Sequence, residues 1–214
     1  MGLLQMNKAR IAAIVEGHGE VEAVPGLIRR IASEVDPYLI VDIGPVIRVP
    51  ANRLIKSGEL ERTIELAARK LAGEGGIFIL IDCDWKNGCP KWDAPLLLDR
   101  VRLARSDIPI SLVLANREYE AWFIAASESL KGKHGLSDDL EVVEDPETIR
   151  GAKEWLSSRM PQNRPYAETI DQPALTELFD LNAARRARSF DKCYREVVTL
   201  LNVLRRRAQW NLPH

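Results

Sequence analysis

Four short apolar runs, separated by stretches with helical periodicity, constrain this chain more than any other feature. Ala9 to Val15 is the first run, and Val24, Leu27, Ile28 and Ile31 recur behind it at the spacing of one helix face. Pro25 fits that helix only in its first turn, because an interior proline removes a backbone hydrogen bond. Tyr38 to Val49 is the second run, and Gly44-Pro45 inside it predicts an interrupted strand at a sheet edge. Ser57 to Ala72 carries Leu60, Ile64, Ala67, Ala68 and Leu71 at helical spacing, and Gly73, Gly75 and Gly76 stop it. Ile77 to Ile81, a polar loop over 82–93, a helix from about Ala94 to Arg105 and the strand Ile110 to Leu114 complete the alternation. Strands joined through helices pair in parallel, so the pattern predicts an α/β fold: a mostly parallel four-stranded sheet with helices on both faces.

Beyond Ser127 the character changes. Gly, Lys, Asp and Pro accumulate between Lys131 and Glu147, and the remainder reads as helices broken by a loop over 160–169. The expected organisation is an α/β domain over 1–127 with a helical extension over 128–214 packed on it. With 214 residues, 46% hydrophobic and 29% charged, the chain can bury one sizeable core. Its apolar runs are about five residues long, far short of a membrane span, and the amino terminus lacks the apolar region of a signal peptide. Three cysteines, Cys83, Cys89 and Cys193, form neither a disulfide framework nor a set that completes a zinc site. A soluble, cytoplasmic protein is therefore expected.

The formal net charge of −1 conceals an asymmetry. Between Arg185 and Ala208 eight basic residues face only Asp191 and Glu196, a local +6 that leaves the rest near −7. Such a segment suits a polyanion beside an acidic centre, and equally suits the dipole of a helix near its carboxyl end.

The acids stand where strands end. Val15-Glu16-Gly17-His18-Gly19-Glu20 follows the first run, and Asp82-Cys83-Asp84 follows the third. In an open parallel sheet ligands bind beyond the carboxyl ends of the strands, and oxygen ligands gathered there suit Mg²⁺ or Mn²⁺. Gly17 and Gly19 allow a sharp turn and close approach of a phosphate. A dinucleotide fingerprint is disfavoured, since Glu22 replaces its third glycine and three glutamates would repel a pyrophosphate. His18 reads as a turn residue. After the fourth run come Asn116-Arg117-Glu118-Tyr119-Glu120-Ala121-Trp122-Phe123. On a helix Glu118 and Glu120 diverge, so at most one joins the site while the other caps or faces solvent, and Trp122 and Phe123 read as core anchors.

Together, Val15-Glu16-Gly-x-Gly-Glu20, the strand ending in Asp82-x-Asp84, and the segment from Asn116 to Phe123 resemble the Toprim domain of topoisomerases, primases and overcoming-lysogenization-defect nucleases. Tyr166, Thr169-Ile170-Asp171-Gln172 and Arg188-Ser189-Phe190-Asp191-Lys192 extend the likeness to an uncharacterised bacterial family of small stand-alone Toprim-like proteins. The resemblance implies a Toprim-like, Rossmann-like fold, with Glu16 as metal ligand or general acid/base and Asp82 and Asp84 as metal-binding aspartates. Glu20 and Glu120 become accessory acids, so that Glu16, Glu20, Asp82 and Asp84 are the catalytic candidates and Glu16, Asp82, Asp84 and Glu120 the metal candidates. Lys86 stands where many Toprim proteins carry a third acid, which supports one metal ion more firmly than two.

The function expected from this is Mg²⁺- or Mn²⁺-dependent cleavage of a nucleic-acid phosphodiester, a nuclease of the kind found in defence systems. Lys86, Arg117, Arg186 and Arg188 are the candidates for holding the nucleic-acid backbone. A second expectation is a regulatory or effector subunit acting with a separately encoded ATPase, since the chain has no Walker A sequence. A third is a small-molecule phosphatase with Asp82 as nucleophile and Asp84 as acid.

Overall fold

The computed structural model describes residues 8–210, so residues 1–7 and 211–214 of the expected domain limits lie outside the described residues. Strands β1 (Lys8–Val15), β2 (Ile40–Arg48), β3 (Gly76–Asp82) and β4 (Ile110–Ala115) form one all-parallel sheet in the order β2-β1-β3-β4. Around it lie helices α1 (Glu20–Val35), α2 (Ala51–Leu54), α3 (Glu59–Leu71), α4 (Pro90–Ala104), α5 (Ala121–Ala125) and α6 (Ser127–Leu130). A 3-10 turn (Pro146–Thr148) and helices α7 (Ala152–Ser157), α8 (Glu168–Leu178), α9 (Leu181–Ala184) and α10 (Arg188–Trp210) follow. This is the α/β class that the alternation predicts, with a Rossmann-like layout.

Alternate side chains of each strand enter different cores. Ile11, Ala13 and Val15 join Phe78, Leu80, Val113 and Ala115 beneath α1 and α10, whereas Ala12 and Ile14 join Ile77, Ile79, Ile81, Leu112 and Leu114 beneath α3 and α4. Burial on both faces explains why the strands read as continuous apolar runs. The layering also fixes the site. From β1 the chain moves outward to β2 through α1, then returns past β1 to β3 and β4 through α3 and α4. Crossovers of one hand that run in opposite directions put their helices on opposite faces, so the chain parts company between β1 and β3. Glu16 follows β1, and Asp82 ends β3.

The helices beyond residue 127 share the sheet's core. Phe190, Cys193, Val197, Leu200, Leu201 and Leu204 of α10 pack against β1, β3 and β4 in one cluster with α1 and α8. Trp122, Phe123, Phe179 and Phe190 interlock edge to face with ring centres 5.2–5.6 Å apart. Trp122 Nε1 donates to Ser189 Oγ at 2.9 Å, which satisfies its one polar atom in the interior. Both Trp122 and Phe123 are the core anchors expected of them.

Some local expectations change. Helix α1 begins at Glu20, which puts Pro25 in its second turn rather than its first. α4 begins at Pro90, earlier than about Ala94, because proline suits the first helical position and the Asp93 carboxylate accepts the Cys89 N–H at 2.8 Å. The helix expected near Glu118 starts only at Ala121, after a turn over 118–120. On edge strand β2, Gly44-Pro45 falls where the register with β1 shifts, between the Ile11–Ile43 and Ala13–Val46 pairs.

Candidate active site at the strand ends

At the divergence of β1 and β3 lies a cavity of about 330 Å³, lined by Glu16, Glu20, Asp82, Asp84, Glu118, Glu154 and Glu168 against the cations Arg48 and Lys153. Its construction starts in the first turn. Glu20, buried at the start of α1, accepts the N–H groups of Glu16 and Gly17 on Oε2 at 2.9 and 3.0 Å. It thereby fixes the backbone that presents Glu16. Glu16 Oε2 in turn accepts the Asp82 N–H at 3.2 Å, and Asp82 Oδ1 accepts the Tyr119 N–H at 3.0 Å. Three strand ends are tied together by carboxylates.

Gly19 lets α8 reach this turn. A Cβ there would stand 2.5 Å from the Glu168 carbonyl oxygen and 2.4 Å from Gln172 Oε1, too close for any side chain. In the space so gained Glu168 Oε1 accepts the Gly19 N–H at 3.2 Å. Glu168 Oε2 accepts from Lys153 Nζ at 2.9 Å, and Glu120 Oε1 lies 4.0 Å from the same ammonium. Beneath them Glu120 is buried, its Oε1 accepting from Tyr166 Oη at 2.8 Å and Gln172 Nε2 at 3.2 Å. Glu120 Oε2 and Gln172 Oε1 are buried without a hydrogen-bond partner among the described residues.

Burial, and after it the crowding of carboxylates, sets the electrostatics. Burial, then the Asp84 charge, raises the Glu16 pKa. Burial lifts Glu20 to about 7, opposed by its two backbone N–H donors. Asp82 is held well above the usual carboxylate range by burial, then by Glu20, Glu120 and Glu16. Glu120 is lifted to about 7 by burial, against the pull of Lys153 and Tyr166. Burial works against the charge of Lys153, but Glu120, Glu168 and Asp82 outweigh it and raise its pKa. Acids held above their ordinary values mark a cavity short of positive charge.

A divalent ion would supply that charge, and the donors present suit a hard one. Mg²⁺ commonly takes one or two protein carboxylates and fills its other positions with water and phosphate oxygens. Among the described residues no three His, Cys, Asp or Glu side chains are grouped tightly enough to enclose an ion. Glu16, Asp82 and Asp84 therefore form no all-protein cage, and an ion held there would keep most of its positions for water and substrate oxygens. The unpartnered Oε2 of Glu120 is a further oxygen that a cation or a proton would satisfy.

Of the sequence candidates, Glu16, Glu20, Asp82 and Asp84 line the cavity and Glu120 lies beneath it. Glu118 accepts the Ala152 and Lys153 N–H groups at 3.3 Å and so caps α7, the alternative role expected of one acid in this pair. The structure places the basic candidates outside this cavity. Arg186 donates to the carbonyls of Ala125, Val143 and Glu144, so it ties down a loop instead of facing the acids. Lys86, Arg117 and Arg188 do not line this cavity. Much of the basic carboxyl-terminal segment is consumed internally: Arg185 and Arg195 by Asp191, Lys192 by Glu196, Arg205 by Asp36.

Sequence reasoning missed Lys153, Arg48, Glu168 and Gln172 as site residues. Tyr166 and Gln172 stood in the segments that carried the family likeness, yet nothing in their spacing linked them to Glu120. Lys153 had no such signal at all.

Fold and site together define a parallel α/β protein with a carboxylate-lined cavity at its topological switch point. The chain belongs to the family described as Domain of unknown function (DUF4276), whose model matches residues 15–197. No curated protein and no solved structure matches the chain. Among the described residues no helix is long and apolar enough to cross a membrane.

Proposed function

We propose that this chain is a metal-dependent phosphodiesterase acting on nucleic acid through a Toprim-type carboxylate site. The observation that carries the reading is the hydrogen bond from Asp82 N–H to the Glu16 carboxylate, which joins the two acidic turns at the point where β1 and β3 diverge. Glu16, Asp82 and Asp84 would hold Mg²⁺ or Mn²⁺, with Glu120 as an accessory oxygen. The bound ion would polarise the phosphate and lower the pKa of an attacking water. The other groups act directly. Lys153 and Arg48, the cations of the cavity wall, bind non-bridging phosphate oxygens and orient the diester. Glu20 holds the Gly17 turn in place, and Tyr166 and Gln172 hold Glu120.

The test is cleavage of supercoiled plasmid, single-stranded DNA and RNA by the purified chain with Mg²⁺ and with Mn²⁺. Cleavage that Asp82→Asn abolishes supports the reading. Wild-type chain inert on all three substrates with both metals would overturn it. A second reading, a subunit that works with a separately encoded ATPase, draws on α4, where Trp92, Leu96 and Leu103 are exposed on one outward stripe. Cleavage that requires that ATPase would favour it.

A further inference from the structure

The sheet ends at β4, and α4 and α10 rise on either side of that free edge. Between them lies a second cavity of about 610 Å³, which shares no lining residue with the acidic one. Leu112, Val113 and Leu114 form its floor, and Ala94, Pro95 and Leu98 line the α4 wall. A concave, mostly apolar space of this size with a few polar groups at its rim has the character of a small-molecule site.

The rim fixes the sign of the ligand. Lys91, Arg102, Arg188 and Lys192 stand there against Asp99, Glu147 and Glu196, an excess of one positive charge. The acids are committed: Glu147 accepts the Ser189 N–H at 2.8 Å, Glu196 pairs with Lys192, and Asp99 lies 3.9 Å from Arg102. Lys91 and Arg188 have no carboxylate partner among the described residues, and both are exposed. Two cations without a carboxylate partner among the described residues, one of them Lys91 with its Nζ 4.9 Å over the Trp92 ring, are too few for a polyanion, and the single excess charge matches a monoanion better than a dianion. We propose that this cavity binds a small aliphatic carboxylate, its chain laid over the β4 edge and its carboxylate held by Lys91 and Arg188.

Calorimetric titration of the full chain with decanoate, decyl phosphate and decylammonium tests this. The expected result is saturable decanoate binding at least tenfold tighter than either other probe. Arg188→Glu should weaken it about tenfold, as loss of one charge-assisted contact does. Ala94→Trp, which fills the cavity, should abolish it, and Leu98→Trp serves if that variant fails to fold. Absence of decanoate binding, equal or tighter binding of the phosphate or the ammonium, or binding untouched by Arg188→Glu and the cavity-filling variant would overturn the proposal.

Discussion

The Glu16 carboxylate, at the end of β1, accepts the backbone N–H of Asp82, at the end of β3, at 3.2 Å. The two acidic turns lie 66 residues apart in sequence and are one object in space. Their proximity follows from the strand order, because β1 and β3 are neighbours whose crossovers leave in opposite directions. An arrangement that crowds acids into a small volume is electrostatically unfavourable by itself. The consequences of that cost are measurable.

Asp82→Asn removes a carboxyl whose ionised form is disfavoured by burial and by Glu20, Glu120 and Glu16, while its side-chain oxygen still accepts from the Tyr119 N–H, which the aspartate holds at 3.0 Å. Activity with Mg²⁺ should fall at least 100-fold, roughly the loss typical of removing a transition-state electrostatic contact. The metal-free chain should instead gain stability at about pH 8, its midpoint rising by roughly 2–5 °C. Cleavage rates check the first half, and scanning calorimetry with and without Mg²⁺ checks the second, because the variant should also lose the stabilisation that the metal gives the wild type. A lower midpoint together with retained cleavage would contradict the assignment.

Stability should depend on pH in a stated direction. Glu20 and Glu120 are raised in the folded state from 4.5 to about 7. Below the unfolded value both states are protonated, and the contribution of the protonated folded form is fully present. As pH climbs towards 7 the unfolded chain has already released these protons while the folded chain must still give them up, so stability is lost. The metal-free protein should therefore melt higher at about pH 5 than at about pH 8. Added Mg²⁺ should narrow that gap by stabilising mainly the deprotonated site. A melting temperature that rises between these pH values in the absence of metal would refute the upward displacement that burial imposes on Glu20 and Glu120.

Lys153→Met tests the counter-charge. Lys153 stands 2.9 Å from Glu168 and 4.0 Å from Glu120, and it is part-exposed, so the cost of losing it is less than for a fully buried pair. Roughly 1–3 kcal/mol of destabilisation is expected at neutral pH, after discounting for solvent screening. Lys153→Arg should recover most of the stability but little activity, because the longer planar group cannot occupy the same point beside both carboxylates. Denaturant unfolding and cleavage rates measured on the two variants separate packing from phosphate binding.

The fold was largely legible in the sequence, and the acidic half of the site with it. Apolar runs of strand length between helical periods leave few alternatives to a parallel sheet, and Glu16, Asp82 and Glu120 betray themselves by following such runs. The cationic half was not legible. Lys153 lies in a short helix, α7, whose position depends on the Glu118 carboxylate capping its first turn. Gln172 and Glu168 come from α8, brought in by its packing on α1. Neither arrangement leaves a periodic trace. The basic segment near the carboxyl terminus was half legible, since Asp191 and Glu196, which pair with Arg185, Arg195 and Lys192, stand within it, while the partners of Arg205 and Arg186, Asp36 and the Ala125 and Val143 carbonyls, lie far away in the chain.

Gly19→Ala separates the site from the fold. The backbone at Gly19 is right-handed helical, with φ of −67°, so an alanine meets no conformational strain there. Its Cβ would nevertheless stand 2.5 Å from the Glu168 carbonyl oxygen, a backbone atom that yields only if α8 shifts. Overpacking of this kind costs about 1–3 kcal/mol. The shift would carry Glu168 and Gln172 away from Lys153 and Glu120, while the Glu16–Asp82 contact, made by β1 and β3, stays. Metal-dependent stabilisation should therefore survive in Gly19→Ala while cleavage falls about tenfold or more, because substrate orientation is lost without the carboxylate centre. Loss of the metal effect along with cleavage would instead mean that α8 helps to build the metal site itself.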